Sequence, residues 1–186
     1  MSDLSWETLE SSVAYTCGGF DVVNEQVRLP DGQEAPFDYI SETESVVILP
    51  LTAGGDVVVI EEWRHAVKRR NRGLPAGTLE PDETPEEAAH RELREETGYE
   101  AETTNHLTTV EPANGFSDSL FHYFVAEGCE QTADQQLDVD ESIEVTTTTM
   151  DSLVSAAREN ELRDGRSALG VLYYVLFENG SESVRR

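Results

Sequence analysis

The chain has 186 residues, enough for one domain or one domain with a small appendage. Thirty-eight acidic residues against thirteen basic ones give a formal net charge of -25, and the basic side is twelve Arg with a single Lys, Lys68. Such a chain repels DNA, RNA and anionic membranes, which argues against a nucleic-acid or membrane partner. Its 38% hydrophobic content, with six Phe, six Tyr and two Trp, excludes an acidic disordered tail. The first twelve residues, MSDLSWETLESS, lack the basic and apolar regions of a signal peptide, and no run approaches the ~18 apolar residues of a membrane span. Cys17 and Cys129 are too few for a disulfide framework, and His65, His90, His106 and His122 form no close pair. These features point to the cytoplasm.

Along the first 40 residues, short strand-like pieces alternate with turns. Gly18-Gly19 breaks the chain before Phe20 to Val23, Val27-Arg28-Leu29 runs into the turn Pro30-Asp31-Gly32, and Phe37 to Ile40 restarts a strand. This predicts a small antiparallel sheet over residues 1–42, ahead of a main domain over 43–186. Residues 46–51 (VVILPL) and 56–62 (DVVVIEE) are apolar runs joined by a Gly-rich turn, hence a hairpin. Their lack of polar alternation places them in a sheet covered on both faces. Residues 84–98 read as a helix: Thr84 as N-cap, Pro85 at the first position, Glu87 completing a capping box, and Gly98 as the stop. Strands follow near 107–110, 120–126 and 143–147, then a helix over about 151–160. A last helix starts near Asp164 or Arg166, and its segment GVLYYVLF is expected to face the core. The order of elements predicts an α/β fold, an α/β/α sandwich with a mixed central sheet.

Glu92, Glu95 and Glu96 fall on one face of the capped helix, where bare like charges cost a few tenths of a kcal/mol per pair. On their own they form either a solvated acidic face or a seat for a hard cation such as Mg²⁺. The surrounding pattern decides. Residues 77–99, GTLEPDETPEEAAHRELREETGY, match the Nudix box at every charged and glycine position. A chance match in this composition is on the order of one in a million. The final box position, usually a branched aliphatic, is Tyr99.

The resemblance to Nudix hydrolases implies the following roles. Glu92 and Glu96 are metal ligands, joined by Glu95 and the carbonyl of Ala76, with Mg²⁺ as the ion and Mn²⁺ as a substitute. Glu83 is structural, reaching Arg91, which balances the acidic cluster and orients it, so that Arg91 and Glu95 count with Glu141 as catalytic residues. Gly77 lets the backbone approach metal and phosphate closely. The flanks are similar to the ADP-ribose pyrophosphatase group: Leu74-Pro75-Ala76-Gly77 before the box, Val27 to Gly32 upstream, Pro112 to Asp118 downstream, and Asp140 to Val145 later. The chain departs from that group at Thr43-Glu44-Ser45 and at Ala113-Asn114. In the group, the base sits in an acidic loop outside the box; here Glu141 is the first choice, as base or additional metal ligand, with Asp138 and Asp140 as alternatives. Arg64 matches a phosphate-holding arginine. Lys68, Arg69, Arg70 and Arg72 either extend that contact or balance nearby acids. Arg28 is a further substrate contact, and Phe20, Phe37 and Trp63 are the aromatics available to clamp a base. The group implies hydrolysis of ADP-ribose to AMP and ribose 5-phosphate by a homodimer paired through the small sheet. The alternatives are GDP-mannose or another sugar nucleotide, a nucleoside triphosphate, or a module that binds a nucleotide without cleaving it.

The lysine depletion and the many dispersed carboxylates also predict a halophile-type surface, whose self-repulsion is screened when the Debye length falls to about 3 Å at 1 M salt. Folding and activity are therefore expected to need concentrated salt. Thermal melts in dilute buffer and in molar KCl check this, and equal stability in the two would refute it.

Overall fold

The computed structural model describes residues 3–139 and 141–178. The chain forms two compact units, one from residues up to 44 together with 111–120, the other from 45–110 and the residues from 121 on. Among the described residues no helix is long and apolar enough to cross a membrane.

The smaller unit is an antiparallel meander of β1 (Glu7–Thr16), β2 (Asp21–Arg28) and β3 (Glu34–Ser41). The Pro-Asp-Gly turn joins β2 to β3. Gly32 takes φ of 85°, its N–H donates to Leu29 O at 2.9 Å, and Leu29 N donates to Gln33 O at 2.8 Å. Val23 and Val27 are the buried hydrophobic residues of this unit. β1 is longer than its sequence suggests. Its side chains lie in solvent on both faces, Val13 and Tyr15 included, so burial leaves no alternation to read. Segment 111–120 packs on β3: Ile40 N donates to Phe116 O at 2.8 Å, Asp118 N donates to Ile40 O at 3.1 Å, and Ser41 Oγ donates to Asp118 at 2.8 Å.

In the larger unit β4 (Ser45–Thr52) and β5 (Val57–Arg64) are joined by the expected turn, but they pair only at its base, Leu51 to Val57. Beyond that point they diverge. The chain that follows fills the gap: β6 (Arg69–Gly73) pairs with β5, and β7 (Ala76–Thr78) pairs with β4 through Val47–Ala76 and Val46–Gly77. Ile48 N donates to Pro75 O at 2.9 Å between them. The helix α1 (Pro85–Thr97) comes next, followed by β8 (Tyr99–Glu100), β9 (Thr103–Val110), β10 (Phe121–Gln131) and β11 (Ile143–Thr148). The sheet is mixed: β10 runs parallel to β4, and the other pairs are antiparallel. α2 (Met150–Arg158) and α3 (Gly165–Tyr173) complete the unit.

Alternation within β4 makes the sandwich. Val47 and Leu49 join Val57, Val59, Tyr123 and Val125 under α2 and α3, against Leu153, Ala156 and Val171. Val46 and Ile48 join Phe124 and Ala126 on the opposite face, under Ala88, Ala89 and Leu93 of α1. Each such Val or Leu gains about 1.5–3 kcal/mol by leaving water, which is why both apolar runs could omit polar residues. The α/β/α expectation therefore holds. The last helix corrects another expectation. Gly170 and Val171 are buried, but Leu172, Leu176 and Phe177 are exposed, and the helix loosens into a π-type turn over Tyr174–Glu178. Apolar composition alone did not reveal that only one edge of GVLYYVLF meets the sheet.

The ends of α1 are as read from the sequence. Thr84 Oγ1 accepts from Glu87 N, the Glu87 carboxylate accepts from Thr84 N at 2.9 Å, and Gly98 ends the helix with φ of 74°. A Cβ on Gly98 would lie 2.2 Å from Ala133 O, a backbone atom that cannot swing aside. Gly98→Ala should therefore lower stability by roughly 2 kcal/mol or more. A urea or thermal unfolding curve measures this, and a midpoint equal to wild type would contradict it.

Candidate active site

The carboxylates of α1 are organised by one guanidinium. Arg91 donates from Nε and Nη2 to the two oxygens of Glu83, each at 2.8 Å, from Nη1 to Glu92 at 2.8 Å and to Glu95 at 3.2 Å, and from Nη2 to Thr78 O at 2.9 Å. The fork thus ties the loop before the helix, the end of β7 and the helix face together. Glu83 is held below the usual carboxylate range, first by its hydrogen bonds from Arg91.

Two of the three glutamates lie deep. Burial pushes the Glu92 carboxyl above its usual range, against the hydrogen bond from Arg91 that draws it down. Burial pushes Glu96 well above it, and the neighbouring Glu92, Glu141 and Glu62 add to the effect. Glu96 is 2% exposed and accepts from Ala76 N at 2.9 Å, so it also pins β7 to the helix. Gly77 faces Glu92 so closely that a Cβ there would lie 2.0 Å from Glu92 Oε1 and 2.1 Å from its carboxyl carbon.

A cleft of about 250 Å³ opens over this cluster. Ala76 and Gly77 of β7, Glu92 and Glu95 of α1, and Asp138 and Glu141 of the acidic loop line it, together with Arg64 and Arg166. Larger hollows, of about 360 Å³ beside Phe20 and about 460 Å³ beside Trp63, carry two acidic residues each, Asp21 and Glu42 in the first, Glu61 and Glu144 in the second, against four in this cleft. In the acidic loop, Asp138 N donates to the Glu141 carboxylate at 2.9 Å and Glu141 N donates to Asp138 O at 3.1 Å. Asp140 lies outside the described residues.

The structure brings Arg64, Ala76, Gly77, Arg91, Glu92, Glu95 and Glu141 to one cleft, with Glu96 directly beneath Ala76. Arg28, Phe20 and Phe37 belong to the smaller unit. There Arg28 pairs with Glu7 at 2.7 Å and Glu34 at 3.0 Å, Phe37 stacks edge-on with Trp6, and Phe20 is exposed. Arg70 is taken up by Glu61 and Glu144, and Arg69 by Asn71, so these two balance local acceptors. Sequence reading missed Thr78, Gln136 and Arg166 in the cleft, which Ser45, from the segment that departs from the group, also lines. The available signal was for Arg166 alone, an arginine at the start of a helix predicted to pack on the same sheet.

Among the described residues no three His, Cys, Asp or Glu side chains close around a point as an all-protein cage. Mg²⁺ does not require one, since it is bound by one or two carboxylates with water and substrate phosphate oxygens completing its shell. Hard oxygens on a rigid helix fit that ion: four carboxylates line the cleft against three guanidinium groups, and one of those, Arg91, is already taken up by the protein. The approach of Gly77 to Glu92 yields a test. Gly77→Ala should keep the fold, because the carboxylate can rotate away, but should cut turnover by roughly 10²-fold or more by displacing Glu92. Circular dichroism together with steady-state rates checks this; full activity would show that the close approach is incidental.

Comparison with known proteins agrees with this geometry. The chain is 30% identical over 179 residues to the ADP-ribose pyrophosphatase of Bacillus subtilis, covering 96% of this chain and 97% of that one. It is 31% identical over 155 residues to the methanol dehydrogenase activator of Bacillus methanolicus, covering 83% and 84%. It is 35% identical over 100 residues to the GDP-mannose pyrophosphatase of Citrobacter koseri, covering 53% and 52%. A crystal structure of an ADP compounds hydrolase superposes with a TM-score of 0.86 at 19% identity, over 99% of this chain and all of that one, a likeness of fold. The NUDIX domain model matches residues 42–167; the chain belongs to the Nudix hydrolase family.

Proposed function

We propose that the protein is a Mg²⁺-dependent diphosphatase that hydrolyses ADP-ribose to AMP and ribose 5-phosphate, with Mn²⁺ able to substitute. The observation that carries the proposal is the cleft that gathers Glu92, Glu95, Glu141 and Arg64 with Ala76 and Gly77. Full-length similarity to an ADP-ribose pyrophosphatase supports the substrate. GDP-mannose is the second reading, supported by partial similarity to a GDP-mannose pyrophosphatase.

Glu92, Glu95, Glu96 and the carbonyl of Ala76 would hold the ion. When bound, it neutralises phosphate charge and makes water a better nucleophile. Glu141 accepts the proton of the attacking water while the water oxygen bonds to one phosphorus. The bond from that phosphorus to the bridging oxygen breaks, and the bridging oxygen leaves on the other phosphate. Arg64 donates to non-bridging phosphate oxygens, a task suited to a planar fork. Its Nη2 pairs with Glu62 at 2.7 Å, which fixes its direction. A homodimer paired through the β1–β3 sheet, a cytoplasmic setting and a salt-adapted surface belong to the same proposal. The long exposed strand β1, with Val13 and Tyr15 in solvent, supports the pairing.

A substrate panel with product identification tests the activity. AMP and ribose 5-phosphate from ADP-ribose are expected, with the rate abolished by EDTA and restored by Mg²⁺. Glu96→Gln should keep the fold, because the amide oxygen can still accept from Ala76 N, yet lose turnover. Pyrophosphate release from a nucleoside triphosphate with ADP-ribose untouched would overturn the substrate; an undiminished rate in Glu96→Gln would remove the metal role.

A further inference from the structure

Three arginines line the cleft: Arg64, Arg91 and Arg166. They are not equally available to a substrate. All three guanidinium nitrogens of Arg91 donate to the protein, to Glu83, Glu92, Glu95 and Thr78 O. Arg64 directs Nη2 at Glu62. Arg166 is bound only through Nε, which donates to Asp164 Oδ1 at 3.2 Å. Its two terminal nitrogens have no protein acceptor among the described residues, although its side chain is only 27% exposed.

The tether is itself firmly fixed. Asp164 is the N-cap of α3, its second oxygen accepting from Ser167 N at 3.3 Å and from Ser167 Oγ at 2.6 Å. Ser167 is fully buried and donates no further, but its Oγ accepts from Leu74 N at 2.8 Å, on the segment leading into Ala76 and Gly77. Gly73 completes the contact, since a Cβ there would lie 2.8 Å from Ser167 Oγ. A chain of hydrogen bonds therefore runs from Leu74, two residues before Ala76, through Ser167 and Asp164 to the guanidinium of Arg166. A planar fork with one edge anchored and the other open to an anion-binding cleft is preorganised for a phosphate.

We propose that Arg166 is a second phosphate-binding residue, donating its terminal N–H groups to non-bridging oxygens of the substrate diphosphate. This rests on the diphosphatase reading, and it gives α3 a direct part in recognition. Arg64 ends β5, so the two arginines hold the diphosphate from separate elements.

Arg166→Ala and Arg166→Lys test the assignment, with circular dichroism confirming the fold. Two quantities are read: KM for the nucleoside diphosphate compound that the wild type cleaves fastest, and the Kd for inorganic pyrophosphate in Mg²⁺ by calorimetry, which involves no turnover. Loss of a charge-assisted hydrogen bond should raise both by roughly 10-fold or more in the alanine variant, with kcat changed far less. Lysine should recover only part, because one ammonium cannot both satisfy Asp164 and present a fork. KM and Kd within twofold of wild type would overturn the proposal, as would a fall in kcat with both constants unchanged. If the wild type cleaves no diphosphate compound but its pyrophosphate affinity still drops in Arg166→Ala, the activity reading fails and the binding assignment stands.

Discussion

The guanidinium of Arg91 is the point through which the helix, the loop before it and the end of β7 are held in one arrangement. Glu83, Glu92 and Glu95 are three carboxylates gathered on a few turns of chain, and without a cation among them each would repel the next. The fork meets all three and a backbone carbonyl. Removing it would leave partly buried charges unpaired, a change far costlier than losing an exposed ion pair. Its neighbours hold the Arg91 charge firmly in place, and every guanidinium nitrogen already donates to the protein.

The box was legible because it is local. Thr84, Glu87 and Gly98 announce the helix through caps that need no tertiary partner, and spacings of three and four put Glu92, Glu95 and Glu96 on one face. The two apolar runs were legible as a buried sheet for the same kind of reason. What was not legible depends on distant chain. The hairpin of β4 and β5 splays because β6 and β7 occupy its opening, and no residue of the hairpin states this. Arg166 and Gln136 reach the cleft only through the packing of α3 and the loop after β10. The outward stripe of α3 was misjudged because a run of apolar residues does not say how wide a face its neighbours cover.

The charge of the whole chain and the proposed binding of a diphosphate stand in tension, and the local arrangement of charges eases it. Eight acids lie within residues 77–99 and five basic residues between 64 and 72. The basic segment does not form a uniform positive patch. Arg69 and Arg70 are absorbed by neighbours, while Arg64 remains at the cleft. A few well-placed forks can bind an anion in a strongly negative protein because contact geometry acts over a few ångströms, within the distance that salt leaves unscreened.

The insertion of β7 between the diverging strands also bears on motion. Ala76 and Gly77 are bonded into the sheet beside Val46 and Val47, two of its most buried residues, and Glu96 fastens Ala76 from the other side. Amide exchange at Ala76 and Gly77 must then share the opening free energy of the central sheet, in place of the small local cost of a surface loop. Whatever adjustment the cleft makes to differently sized ligands falls to the rest of its lining: the irregular chain that carries Gln136, Asp138 and Glu141, and the first turn of α3.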